Sequence, residues 1–361
     1  MSSNTKFTNV NRNPNDTTEI DNTESIANRE LVANLEPVSD APNTVPVVND
    51  FRSEADNASL SSSGTDYTSL QSSVLDYEYE NGRRYQNYRR GEYLLPNDED
   101  EQDRMDFLHH IYGMILSGEL HVAPIGDVHR VLDIGTGTGI WAMDFADQHP
   151  AAEVIGNDLS PIQPGWVPAN CVFEVDDFEA EWQYSRPFDY IHGRELAGSI
   201  KDINHLAVQA FNNLKPRGYF ELQSFAVKQF SDDGSLEKKG PFTIQLAELI
   251  KEAGLKFGKP MQDIDTWGEA LKSAGFIDII TKVVKAPLTA WPKDEKQKRI
   301  GRFLQSHTNQ ALGSYLPGIL TTVLGWAKEE VDLMAAKVRN ELADQSIHQY
   351  GKVYFIYGKR P

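Results

Sequence analysis

The chain has 361 residues, a formal net charge of −18, 40% hydrophobic residues and a single cysteine, Cys171. That length supports one large core or two small ones, while the acidity argues against a general nucleic-acid binder and the lone thiol against a disulfide-stapled fold. No run approaches the roughly 18 apolar residues of a membrane helix, and no basic segment precedes an apolar run at the N-terminus, so a protein of the cytoplasm or nucleus is expected.

Residues 1–80 hold 4 Lys/Arg against 14 Asp/Glu, and 31 of the first 75 residues are Ser, Thr or Asn. Such a segment buries too little apolar area to offset its ordering entropy, so residues 1–76 are expected to be a disordered acidic tail and residues 77–361 the folded domain. Within residues 98–117, Met105, Leu108, Ile111, Tyr112 and Ile115 share one helical stripe. Asn97 is the expected N-cap, and Asp98, Glu99, Asp100 and Glu101 suit the positive end of the helix dipole. His109 and His110 are adjacent, so they face different ways and read as packing histidines rather than a metal pair.

From Arg130 the sequence reads RVLDIGTGTGIWAMDFADQHP: a short apolar strand, a turn through Gly135, Gly137 and Gly139, and a helix with Trp141, Phe145 and Ala146 inward. Glycines serve where the backbone takes positive φ or where a ligand approaches closely, and a helix N-terminus offers free N–H groups. The spacing is neither the dinucleotide G-x-G-x-x-G, because Ile140 holds the sixth position, nor a phosphate loop, because no Lys follows Gly139. Asp133, two residues before the first glycine, can instead hold an amine-bearing or cationic ligand without phosphates, a description that S-adenosylmethionine meets. A second strand, 153–157, ends at Asp158, which is placed to accept two ribose hydroxyls; Asp also favours the turn into Leu159, Ser160 and Pro161. A third, 172–175, leads into Asp177 and Phe178, candidates for the adenine amino group and a ring nitrogen. A fourth, 188–192, is followed by Arg194 and Glu195 at the edge where parallel sheets bind ligands.

The segments VLDIGTGTG, NDLSPIQP, VDDF, FDYIHGREL and NLKPRGYFELQ resemble the class I methyltransferases that use S-adenosylmethionine. ENGRRYQNYRRGEYLLPNDEDEQDR (80–104), GTGTGIWAMDFADQHP and DLSPIQPGWVPAN resemble more closely the fungal LaeA-like methyltransferases of secondary metabolism. The resemblance covers residues 77–361 and is strongest before about residue 225. It departs at Lys215-Pro216-Arg217-Gly218, where the family pattern is Lys-Pro-Gly-Gly. It implies an α/β fold, a Rossmann-like seven-stranded sheet with helices on both faces, and S-adenosylmethionine as cofactor. It also implies that segment 83–93 folds over the cofactor as part of a helical lid (77–125), with Tyr85 and Tyr88 i, i+3 on one helical face and Arg84 beside Tyr88. A nuclear-import patch is the competing reading of Arg83, Arg84, Arg89 and Arg90. The candidate cofactor set is Tyr88, Asp133, Gly135, Thr136, Gly137, Thr138, Gly139, Asp158, Leu159, Asp177 and Phe178.

The remainder supplies a fifth strand (219–227), helices at 243–256 and 266–274, and a closing antiparallel pair at 276–284 and 353–357. Residues 286–340 read as a helical insertion on the substrate side, whose Trp291, His307, Tyr315 and Trp326 have the spacing of packing residues. Methyl transfer from a sulfonium is an in-line displacement that needs alignment and no triad. His192 is the candidate base, by position and titration range, and Arg194 the orienting group. Two functions follow: a transferase acting on a small metabolite or a protein side chain, or a regulatory partner-binding protein that retains the cofactor fold. No metal set is evident.

Overall fold

The computed structural model describes residues 77–80, 82–86, 91, 93–261 and 263–361; the acidic tail and Tyr88 lie outside the described residues. The described chain opens on a hairpin, not the expected helix. β1 (Tyr77–Glu80) pairs antiparallel with β2 (Arg83–Gln86), and Gly82 turns at φ +78 between them. The alternation Tyr77-Glu78-Tyr79-Glu80 has the two-residue period of a strand. Arg84 accordingly stacks on Tyr77, 4.7 Å from the ring centre. The hairpin is clamped to α1 (Glu99–Leu116) by Arg83, whose Nε and Nη2 donate to the Asp98 carboxylate at 2.5 and 2.8 Å. Asp98 is also the N-cap, accepting the Glu101 N–H at 3.1 Å, so the cap lies one residue later than expected. The Asn97 N–H is engaged with the Arg84 carbonyl.

The sheet then builds in chain order: β3 (Arg130–Ile134), α2 (Ile140–Gln148), β4 (Glu153–Asp158), β5 (Cys171–Val175) and β6 (Phe188–Arg194). α3 (Ile203–Asn213), β7 (Leu214–Phe230), α4 (Ser235–Lys239), α5 (Pro241–Phe257) and α6 (Trp267–Ala274) follow. β8 (Ile277–Pro287), α7 (Glu295–Leu316), a π-helical turn (Pro317–Val323), α8 (Lys328–Ala343) and β9 (Tyr350–Lys359) complete it. The seven strands lie in the order β5-β4-β3-β6-β7-β9-β8, parallel from β5 to β7, with β9 antiparallel to both neighbours. Both faces of the parallel part are covered, and for that reason β3 is buried at all five positions. Val131, Val154 and Tyr190 pack with Trp141 and Phe145 of α2. Leu132, Ile134 and Ile191 pack on the opposite face with Leu206 of α3 and Leu271 of α6. A third core joins α1, α5, α7 and α8 over the far end of the sheet, through Ile111, Leu246, Leu304 and Met334 among others. Among the described residues, no helix is long and apolar enough to cross a membrane.

The departure from the family turn has a structural consequence. Arg217 sits at φ +70, and its N–H donates to the Arg360 carbonyl at 2.9 Å. A left-handed backbone costs a side-chain-bearing residue about 1–2 kcal/mol, whereas glycine loses roughly 0.5–1 kcal/mol through its freer unfolded state. Arg217→Gly is therefore expected to raise stability by about 0.5–1 kcal/mol in urea denaturation. A loss instead would show that the exposed Arg217 side chain makes a stabilising contact.

Candidate active site

The loop after β3 is shaped by what its glycines touch. A Cβ on Gly135 (φ +62) would stand 2.5 Å from Leu196 Cδ2, and one on Gly139 (φ +81) would stand 2.3 Å from Phe173 Cζ. Gly139 is thus required for packing against β5 and for entry into α2. The Gly137 N–H donates to Asp158 Oδ2 at 2.9 Å, tying the loop to the tip of β4. Asp158 Oδ1 accepts the Ser160 N–H, also at 2.9 Å. Burial raises the Asp158 pKa against these two backbone donors.

Asp133 lies at the C-terminal end of β3 between two donors, Thr136 Oγ1 at 2.6 Å and His192 Nδ1 at 2.7 Å. Alternation along β6 turns His192 toward α2, where its fully buried ring stacks on Trp141 with centroids 3.7 Å apart. Burial lowers its pKa, so the ring is neutral, and its carboxylate partner assigns the proton to Nδ1. His192 is not a lining residue, which corrects its expected role as the base: the ring lies under the loop and fixes Asp133.

A cavity of about 360 Å³ opens at the C-terminal edge of the parallel strands. Asp133, Gly135, Thr136, Thr138, Asp158 and Leu159 line it from the loop and from β4, and Asp177 and Phe178 from beyond β5. Thr138 is anchored to α1 through its hydroxyl, which donates to Asp106 at 2.6 Å. Arg194 lines the cavity with its donors engaged by Gln223 Oε1 (2.9 Å), the Leu120 carbonyl (3.2 Å) and His109 Nδ1 (3.1 Å), over the ring of Tyr112. His109 Nε2 therefore carries the proton and meets Asp144 at 2.9 Å, whereas His110 packs on Phe303.

Several lining groups escaped the sequence reading. Gln86 reaches in from the hairpin: its Oε1 accepts the Ser160 hydroxyl, and its buried Nε2 has no partner among the described residues. Nothing in a lone Gln on a short strand signals this. Arg104 of α1 is bound by Glu101 and meets His307 Nε2 at 2.6 Å, with Tyr315 beneath its guanidinium. His307 and Tyr315 thus line the cavity, whereas Trp291 donates to the Gln349 carbonyl and Trp326 packs in the core, as the aromatic spacing suggested for all four. Burial and the neighbouring Arg104 push the His307 pKa down to about 3. Glu195, noted only as an edge residue, also lines the cavity.

This donor set fits a nucleoside with an amino-acid end. A carboxylate at the β4 tip can accept hydroxyls, a second at the loop can face an ammonium, and the unpartnered Gln86 Nε2 can donate to an oxygen. The family described as "Methyltransferase domain" matches residues 77–279. Methyltransferase pytC of Aspergillus terreus is 41% identical over 81% of this chain and 91% of its own. The secondary metabolism regulator LAE1 of Cochliobolus heterostrophus is 36% identical over 78% and 94%. The protein-methionine methyltransferase laeA of Emericella nidulans is 33% identical over 79% and 77%. With this loop, this strand order and these relatives, the chain belongs to the methyltransferase domain family, as a class I S-adenosylmethionine-dependent methyltransferase of the LaeA-like type.

Proposed function

We propose that the chain transfers a methyl group to a small-molecule acceptor in fungal secondary metabolism, taken whole into the cavity at the strand edge. The observation that carries this is the cavity itself: about 360 Å³, reached by side chains of α1, α5, α7 and the π-helical turn, a space suited to a small molecule rather than to a protein surface. Of the relatives above, one is named for action on a protein methionine and another only as a methyltransferase. The recessed, mostly apolar lining favours the small acceptor.

In this reading Asp158 receives the ribose hydroxyls, and Asp133, held by Thr136 and His192, faces the ammonium end. Asp177 and Phe178 receive the adenine, and Gly135, Thr138 and Leu159 bring the wall close. Gln86 Nε2 donates beside Ser160. Gly137 acts through its bond to Asp158. The sulfonium, when bound, supplies an electrophilic methyl carbon. The protein aligns, excludes water and handles the acceptor proton. Arg194 is proposed as the group that orients α1, β7 and the chain at Leu120 around the acceptor, through Tyr112, Gln223 and the Leu120 carbonyl.

Calorimetric titration of S-adenosylmethionine and S-adenosylhomocysteine tests the reading, with Gly137→Arg as the blocked control because φ is +59 there and Met105 Sδ lies 3.3 Å from a Cβ. Micromolar binding that the folded variant lacks supports it. No binding to the folded wild-type chain sinks it and gives the partner-binding alternative first place.

A further inference from the structure

Glu195 leaves β6 in a conformation that its own backbone disfavours. It sits at φ +57, a region that favours glycine, and is held there by its N–H donating to the Gln223 carbonyl at 2.8 Å. Its Oε1 accepts both the Tyr112 hydroxyl and the Phe225 N–H, the latter at 2.9 Å. Its Oε2 has no hydrogen-bond partner among the described residues, and the residue lines the cavity. Burial raises its pKa, opposed by Tyr112, the Phe225 N–H and the charges of Arg104 and Arg194.

The position is as informative as the strain. β6 runs beside β3, with Asp133 opposite His192 and Ile134 opposite Gly193, so the chain beyond Arg194 comes level with the glycine loop. The Leu196 side chain indeed touches Gly135. On the other side of Glu195 the cavity is apolar, walled by Phe225, Leu246, Ile250, Leu288, Leu312 and Ile319. The histidines that line the cavity are occupied: His109 has both nitrogens engaged, and the free lone pair of neutral His307 accepts from Arg104; Glu179 is paired with Lys259 at 2.9 Å.

We propose that Glu195 is the general base of the transfer and that the acceptor is a small, largely apolar molecule bearing a hydroxyl on unsaturated carbon, a phenol or an enol. This rests on the cofactor reading above. A thioether acceptor has no proton to lose and gives such a carboxylate nothing to do. A phenol, with a pKa of about 10 like a tyrosine hydroxyl, is acidic enough for a carboxylate to assist as the bond forms. In the step, the acceptor O–H bond breaks and its proton passes to Oε2. The oxygen electron pair forms the new O–CH₃ bond, and the pair of the breaking S–CH₃ bond stays on sulfur, which becomes the neutral thioether.

Two probes with one ring system test this, 2-naphthol and methyl 2-naphthyl sulfide, on the full chain loaded with S-adenosylhomocysteine. The wild type is expected to bind the naphthol about tenfold or more tightly than the sulfide, the effect of a hydrogen bond to a charged group. Glu195→Leu should lose that preference. Glu195→Gln should lower transfer of a tritiated methyl from S-adenosylmethionine to the naphthol by about 10²-fold or more. Both variants should keep wild-type affinity for S-adenosylhomocysteine, which also shows that they fold. Equal binding of the two probes, transfer to the sulfide, no transfer to the naphthol, or an unimpaired Glu195→Gln each overturns the proposal. Failure of the wild type to bind S-adenosylhomocysteine would instead remove the cofactor reading.

Discussion

Glu101→Ala is expected to lower the unfolding free energy by about 3–5 kcal/mol, the loss that follows when one partner of a buried ion pair is removed. Glu101 and Arg104 are 1% and 3% exposed, three residues apart on the first two turns of α1. The carboxylate takes Arg104 Nε at 3.0 Å and Nη2 at 2.6 Å, a two-point grip that few other groups can replace. Without it, the guanidinium keeps only neutral His307 and the face of Tyr315 as hydrogen-bond and stacking partners among the described residues, and a cation remains buried without a hydrogen-bonded counter-charge. Removing both charges, as in Glu101→Leu with Arg104→Met, should return most of the loss, because the penalty lies in the orphaned ion and not in the missing bond. Urea denaturation of the single and double variants measures both. A single-variant loss under about 1 kcal/mol would mean that water reaches the pair, since exposed pairs contribute no more than that. Arg104, His307 and Tyr315 all line the cavity, so this pair also fixes the wall against which an acceptor lies.

The parts of the fold that the sequence made legible are those written in short-range pattern. The run from Arg130 through Gln148 declares a strand, a turn and a helix because apolar runs, glycines and a helical stripe succeed one another, and all three elements are present. The strand order was not legible, since nothing in residues 350–359 says that β9 inserts between β7 and β8. The hairpin was hidden because Tyr85 and Tyr88 fall at a helical i, i+3 spacing, whereas the two-residue alternation of Tyr77-Glu78-Tyr79-Glu80 and its pairing with Arg83–Gln86 make residues 83–86 a strand. His192 misled for a related reason. Its strand reads two residues short in the sequence, since β6 runs on to Arg194, and alternation along it turned the ring under the loop onto Trp141. Gln86, His307 and Glu195 reach one cavity from three distant parts of the chain, and no spacing rule connects them. Glycine 139 shows the converse: its identity was legible, but its reason, the ring of Phe173 across the turn, was tertiary.

Asp158→Ala is expected to weaken S-adenosylhomocysteine binding ten- to a hundredfold, about 1–3 kcal/mol, by removing a charged acceptor and the tether of the Gly137 N–H. Stability should change far less, and the sign of the pKa shift says why. A carboxylate whose folded pKa is raised adds stability below its unfolded pKa and loses it as pH rises through the folded value, so at neutral pH the buried ionised Asp158 opposes folding. Its deletion removes that opposition while giving up two backbone hydrogen bonds, at Gly137 and Ser160, and the two effects offset. The same shift sets a pH signature for binding. As pH falls, Asp158 is protonated earlier than a surface carboxylate, and a neutral acid accepts hydroxyls poorly, so wild-type affinity should decline while the already weakened alanine variant stays flat. Calorimetry from about pH 7 to about pH 4.5, still above the ordinary Asp value near 3.9, reads the difference. Unchanged affinity in Asp158→Ala would take this residue out of the cofactor site. A parallel decline in both proteins would assign the titration to another group, with Asp106, whose pKa burial also raises, the first to examine.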